Sequence, residues 1–172
     1  LLRGDTAFPQ TKELDRWDAD GIRFVFGMPQ HANHAEIAEN AREKDWKRLS
    51  RQPRHDPDTP DRSRKENVKR QIVEERGYKN RRLASEWFTE VPYRPSKCKK
   101  TYRLVILRKK VNVTEQGWLF EDYRYFFYLS NLPEDQYSPE EIIYQSNQRC
   151  DQENVIAQLN QCRALHAPVD NL

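Results

Sequence analysis

Four runs rich in β-branched, aromatic and other apolar residues crowd the middle of the chain: Val68–Val73, Leu83–Tyr93, Thr101–Val113 and Tyr123–Leu129. Such runs read as strands, and no helical pattern separates them. Helical segments lie before and after this block. Helix and strand in this mixed order point to an α/β or α+β domain with an antiparallel insertion. Alternation within the runs is imperfect, so pairing and register stay open.

The flanking elements are clearer. Leu1-Leu2 looks like the stub of a strand ending at Arg3-Gly4-Asp5. Thr11 can cap a short helix over 12–20, with Leu14 and Trp17 on one face and Gly21 as its stop. Ile22–Met28, closed by Pro29, reads as a buried strand. Residues 34–49 hold Ile37, Trp46 and Leu49 among charges, which suits a helix exposed on one side. Arg51 to Lys65 contains three prolines and almost nothing apolar, a loop or linker. Ser138-Pro139-Glu140-Glu141 starts a further helix: Ser as cap, Pro at the first position, carboxylates in the first turn. That helix is expected to run to Leu165, before Pro168.

At 172 residues the chain has room for one domain, or one domain with an elaboration. Its apolar fraction of 36% lies below the roughly 45–50% usual for globular chains, yet four Trp, eight Tyr and seven Phe are there to form a core. No run approaches the ~18 to 20 apolar residues of a membrane-spanning helix, and no signal-peptide h-region opens the chain. It starts at Leu-Leu, and its one methionine is Met28, which suggests a fragment. Cys98, Cys150 and Cys162 make an odd count without CxxC spacing. Cys150 and Cys162 read as one helix, about 18 Å apart, and cannot bridge. Free thiols fit a reducing cytoplasm.

Net charge is +3, unevenly spread. Residues 1–50 carry 8 basic and 9 acidic side chains, 51–110 carry 19 and 8, and 111–172 carry 3 and 10. A middle third this basic suggests a surface for a polyanion; it also fits a solvated basic loop. No phosphate-cradling glycine loop is present, and GxxxxGK is absent. His31 and His34 form an HxxH pair that no further Cys or His completes, so an exposed loop competes with a metal role. His55 and His166 stand alone, and no Ser or Cys has a convincing triad neighbourhood. Asp5 stands either at the C-terminal tip of a strand or as the cap of a turn. Glu153 shares a helix face with Arg149 and Asn160, a spacing that alone would mean a surface ion pair.

Three blocks of text say more. Asn147-Gln-Arg-Cys-Asp-Gln-Glu153-Asn-Val-Ile-Ala-Gln-Leu, followed by Arg163 to Leu172, closely resembles the C-terminal catalytic segment of bacterial insertion-sequence transposases of the DDE type, the branch with a Tyr-x2-Arg-x3-Glu-x6-Lys signature. Arg3-Gly-Asp5-Thr-Ala-Phe8 resembles the stretch holding their second catalytic aspartate, and Tyr123 to Asn131 the strand leading into their final helix. The resemblance covers essentially the whole chain. It implies an α/β fold, an incomplete RNase H-like domain with a β-rich insertion. Residues 1–50 would form part of the core, 51–122 the basic linker and insertion, and 123–172 the last core strand and catalytic helix.

The family cleaves and joins DNA at transposon ends with a two-metal site of Mg²⁺ or Mn²⁺ in the complete enzyme, with no bound metal as the alternative for this chain by itself. By resemblance Asp5 and Glu153 are the second and third catalytic carboxylates and metal ligands. Arg149 matches the signature arginine, which orients the glutamate or contacts an end phosphate. Arg149, Asn160, Lys97, Lys99 and Lys100 are the candidate DNA contacts. Double-stranded DNA is the expected partner, with a homodimer in the complete enzyme and a place at the nucleoid in a bacterial cytoplasm. Departures are specific: Ser146 stands at the signature Tyr, Asn160 at the signature Lys, and Ala7 where relatives often carry an acid. No counterpart of the first catalytic aspartate occurs. The chain is therefore expected to be inactive alone, a transposase fragment or, alternatively, a decayed, non-catalytic nucleic-acid-binding remnant.

Overall fold

The structure is a computed structural model that describes residues 1–6, 10–51, 80–115 and 118–147. It is a mixed α/β fold built on one six-stranded sheet. In chain order the elements are β1 (Leu2–Gly4), a 3-10 turn (Thr11–Glu13), α1 (Leu14–Ala19), β2 (Phe24–Met28), α2 (Ala32–Asn40), a second 3-10 turn (Glu43–Asp45), β3 (Lys47–Arg48), β4 (Asn80–Tyr93), β5 (Tyr102–Glu115), β6 (Trp118–Ser130) and α3 (Pro139–Asn147). Across the sheet the order is β1-β2-β6-β5-β4-β3. The β1–β2 pair is parallel and the other four pairs are antiparallel. A parallel pair needs a crossover, and α1 supplies it. Strands β4, β5 and β6 form an antiparallel meander, and β6 also pairs with β2, so the meander and the βαβ unit share one sheet. The boundary drawn at 122/123 falls inside β6.

Side-chain alternation makes two cores. Phe24, Phe26, Met28, Leu104, Ile106, Phe127 and Leu129 face Leu14, Ala38 and Trp46 on the α1/α2 side. Val25, Val105, Leu107, Tyr128 and Phe88 face Leu49, Leu132, Ile142 and Ile143 on the α3 side. Strands buried on both faces read as continuous apolar runs, as in Phe24–Met28, whose five residues are all buried. Burying one Phe is worth about 1.5–3 kcal/mol, and Phe24 and Phe26 stack at 5.3 Å between ring centroids.

Local signals hold well at two places. Gly21 has φ of +72°, the left-handed conformation a helix stop needs. At α3, the Glu141 N–H donates to Ser138 Oγ at 3.3 Å, and the Ser138 N–H donates to Glu141 Oε2 at 2.6 Å. This is a reciprocal capping box.

The expected helix over 34–49 is corrected. The helix spans Ala32–Asn40, and Ala41 and Arg42 turn extended. On a helix Trp46 and Leu49 would share a face; here Trp46 joins the α1/α2 core and Leu49 the α3 core, on opposite sides of the sheet. Between Leu83 and Ser85, β4 holds a bulge: Leu83 faces Val111 and Ser85 faces Lys110, which leaves Ala84 as the extra residue. The expected strand Val68–Val73, the Arg51–Lys65 linker after its first residue, and the continuation of the last helix to Leu165 lie outside the described residues. Among the described residues no helix is long and apolar enough to cross a membrane.

Candidate metal centre and nucleic-acid contacts

Asp5 follows directly on Gly4, the last residue of β1, and is half-buried. Its position is set by the neighbouring strand. A Cβ on Gly27 would lie 3.4 Å from the Thr6 backbone nitrogen and 3.6 Å from the Asp5 carbonyl carbon. By alternation Gly27 belongs to the same face as Val25. The Asp5–Thr6 backbone therefore folds over the end of β2 on the side that α3 covers.

The same side carries a link between strand and helix. Arg3, opposite Val25 in the register, donates through Nη2 to Gln145 Oε1 on α3. Upstream, Arg103 fixes the entry to α3. It pairs with Glu90 across the β4–β5 ladder, and its Nη1 donates to the Leu132 and Tyr137 carbonyls at 2.9 Å each. Asn131 closes the other side of that junction. Its Oδ1 accepts from the Phe24 N–H at 2.8 Å, and its Nδ2 donates to the Ile22 carbonyl and to Asp18, each at 2.9 Å. Both residues escaped the sequence reading because each acts through partners far away in the chain. The apolar run interrupted by Arg103, with Glu90 in a preceding strand, was the available signal.

Glu153, Arg149 and Asn160 lie outside the described residues. Among the described residues no group of three or more His, Cys, Asp or Glu side chains could hold a metal ion. Asp5 offers hard oxygen donors of the kind Mg²⁺ takes.

Lys97, Lys99 and Lys100 sit in the turn between β4 and β5. This turn lies beyond the Arg103–Ser130–Val25 row on one side, and Asp5, directly after Gly4 opposite Phe26, lies just past that row on the other. Three strand spacings, roughly 14 Å, separate them across the sheet alone. The turn is tied to α1: the Lys99 N–H donates to Asp15 at 2.6 Å, the Tyr102 hydroxyl to Asp15 at 2.7 Å, and Lys100 Nζ meets Asp18 at 2.5 Å. The Lys99 N–H and the Tyr102 hydroxyl hold the Asp15 carboxyl below its usual range. Burial, with Asp15 nearby, pushes the Cys98 thiol up to about 11. Lys100 thus has an anchoring role, while the side chains of Lys97 and Lys99 are exposed.

His34 is buried rather than in an exposed loop. Its Nδ1 lies 2.8 Å from the Pro29 carbonyl, and its ring packs against Tyr93 and Phe127 at 5.1 and 5.2 Å. Nδ1 therefore donates to Pro29, and Nε2 has no hydrogen-bond partner among the described residues. His31 precedes α2 and is exposed.

No protein-family model, no curated protein and no solved structure matches this chain.

Proposed function

We propose that this chain is the C-terminal part of a metal-dependent DNA transposase of the DDE type, in which Asp5 and Glu153 are two of three metal-holding carboxylates on an RNase H-like core. The observation that carries the reading is the path of the chain at the end of β1. Asp5 follows the strand directly, the Asp5–Thr6 backbone turns onto the α3 face over Gly27, and Arg3 bonds that strand to the helix preceding Glu153 in sequence. The parallel β1–α1–β2 unit extended by an antiparallel meander is in keeping with such a core. Two divalent ions held there would activate the attacking water or 3′-hydroxyl and stabilise the leaving oxygen. The protein's own part is positional. Gly27 leaves room for the Asp5–Thr6 turn, and Arg3 and Arg103 fix α3 at its two ends.

Fe²⁺ in place of Mg²⁺, with ascorbate and peroxide, cuts the backbone next to the bound ion. Cuts near both 5 and 153, suppressed by excess Mg²⁺ and lost in Asp5→Asn, are expected. Cuts at neither position, or at only one, overturn the pairing. Cleavage of terminal-repeat DNA by this chain alone is expected to be undetectable, because it carries no counterpart of the first aspartate.

A further inference from the structure

The far half of the β4–β5–β6 ribbon carries a second feature, on the α1/α2 face and away from Asp5. In register, Arg48, Trp87, Arg108 and Tyr125 stand in one row across four strands. The next row on that face holds Ser85, Lys110 and Tyr123. Cations and aromatic rings therefore alternate across the strands, with β5 supplying cations and β6 tyrosines to both rows.

Arg108 is the centre of this surface. Its guanidinium lies 4.3 Å from the Trp46 ring centroid and 5.7 Å from that of Tyr123. Its Nε is buried without a hydrogen-bond partner among the described residues. Its two Nη atoms donate to one carboxylate, that of Glu43, at 3.0 and 2.7 Å. The arginine side chain is 13% exposed and the glutamate 78%. A guanidinium fork fixed from below thus meets a carboxylate reaching in from solvent on a 3-10 turn. Such a fork takes carboxylate and phosphate oxygens in the same bidentate geometry. Beside it, Lys110 meets Glu121 at 2.7 Å, and Tyr123 is 46% exposed.

We propose that this face binds single-stranded nucleic acid, with a backbone phosphate replacing Glu43 on Arg108 and a base stacking on Tyr123. Aromatic side chains standing on a sheet beside cations hold unpaired bases, whose faces a duplex does not offer. The surface does not depend on the strand-transfer reading, since a chain without metal chemistry would bind in the same way. Failure here leaves the iron-cutting result untouched, and the reverse also holds.

The test is fluorescence anisotropy with a labelled oligothymidylate and a blunt duplex over a salt series. Glu43→Gln frees Arg108 and is expected to bind the single strand about two- to fivefold tighter, the scale of one exposed ion pair. Its log–log salt slope should steepen by about 0.7. Glu13→Gln, which removes a carboxylate on the 3-10 turn before α1, changes net charge equally. An equal gain in both variants would mean that net charge alone acts, and overturns the proposal. Tyr123→Ala should weaken single-strand binding at least about fivefold and leave duplex binding unchanged. Tighter binding of the duplex than of the strand, or no effect of Tyr123→Ala, overturns the single-strand assignment.

Discussion

Along β5, Leu104, Val105, Ile106 and Leu107 have no exposed surface, whereas the strand continues with three cations, Arg108, Lys109 and Lys110, and then Val111, Asn112 and Val113. The first stretch runs between helices on both faces of the sheet. In the second, Arg108 and Lys110 stand on one face, and Lys109 with the two valines on the other. One strand thus follows two composition rules, and the change at Arg108 marks where the helical cover on the α1/α2 side ends. The near half is committed to stability. The far half tolerates charge, and that is where a ligand surface can develop.

The sharpest way to break this contrast uses two phenylalanines on β6. Phe127, 2% exposed in the near half, should cost about 3–5 kcal/mol on truncation to Ala. Phe120, 54% exposed and opposite Val113 in the far half, should cost about 1 kcal/mol or less. Urea denaturation of the two variants decides it, and equal losses would mean that the far half is packed as firmly as the near one.

Asn131→Ala comes next. It removes three hydrogen bonds at the junction of β2, β6 and α1 and should cost about 1–3 kcal/mol, because the Phe24 N–H is left without its acceptor. A loss below about half a kcal/mol would show that water replaces the side chain there.

A smaller effect depends on pH. Burial holds the His34 imidazole below its ordinary value of 6.5. The folded chain therefore resists a proton that the unfolded chain accepts. This contribution is fully present above pH 6.5 and is lost as pH falls through the depressed folded value. Wild type should weaken between pH 6.5 and 5 more than His34→Phe does. Asp15 and Asp18, held low from 3.8, act in a separate window below about pH 4. Identical pH curves for the two proteins would remove His34 from the account. The smallest change is expected in the far half: Glu121→Gln removes an exposed partner of Lys110 and should shift stability by less than about 1 kcal/mol. A larger loss would show the ribbon depending on its surface charges.

What was legible in the sequence was local. Ser138 and Glu141 announce the start of α3 because a capping box is made by residues three apart. Gly21 marks its helix end for the same kind of reason, and Asp5 could be set at a strand tip from Leu-Leu and Gly. Trp46 and Leu49 misled because their spacing fits a helix, while the chain uses them to clasp the two sides of the sheet. The row through Arg108 was invisible, since Arg48, Trp87 and Tyr125 become its neighbours only through pairings over tens of residues. The carboxylate pair was suggested by resemblance, with Asp5 described and Glu153 outside the described residues.

The bulge at Ala84 has a consequence for how such a surface can change. In an uninterrupted β4 paired as it is from Ser85 onward, Ala84 would face Val111, Leu83 would face Asn112, and Arg82 would face Val113. Leu83 would then stand on the cationic side, and Arg82 would take the place opposite Val113 that Arg81 holds now. One surplus backbone unit therefore acts as a parity bit for the N-terminal end of the strand. A lineage that gained or lost one codon between Asn80 and Leu83 would exchange the two faces of the ribbon there while keeping almost every amino acid it had.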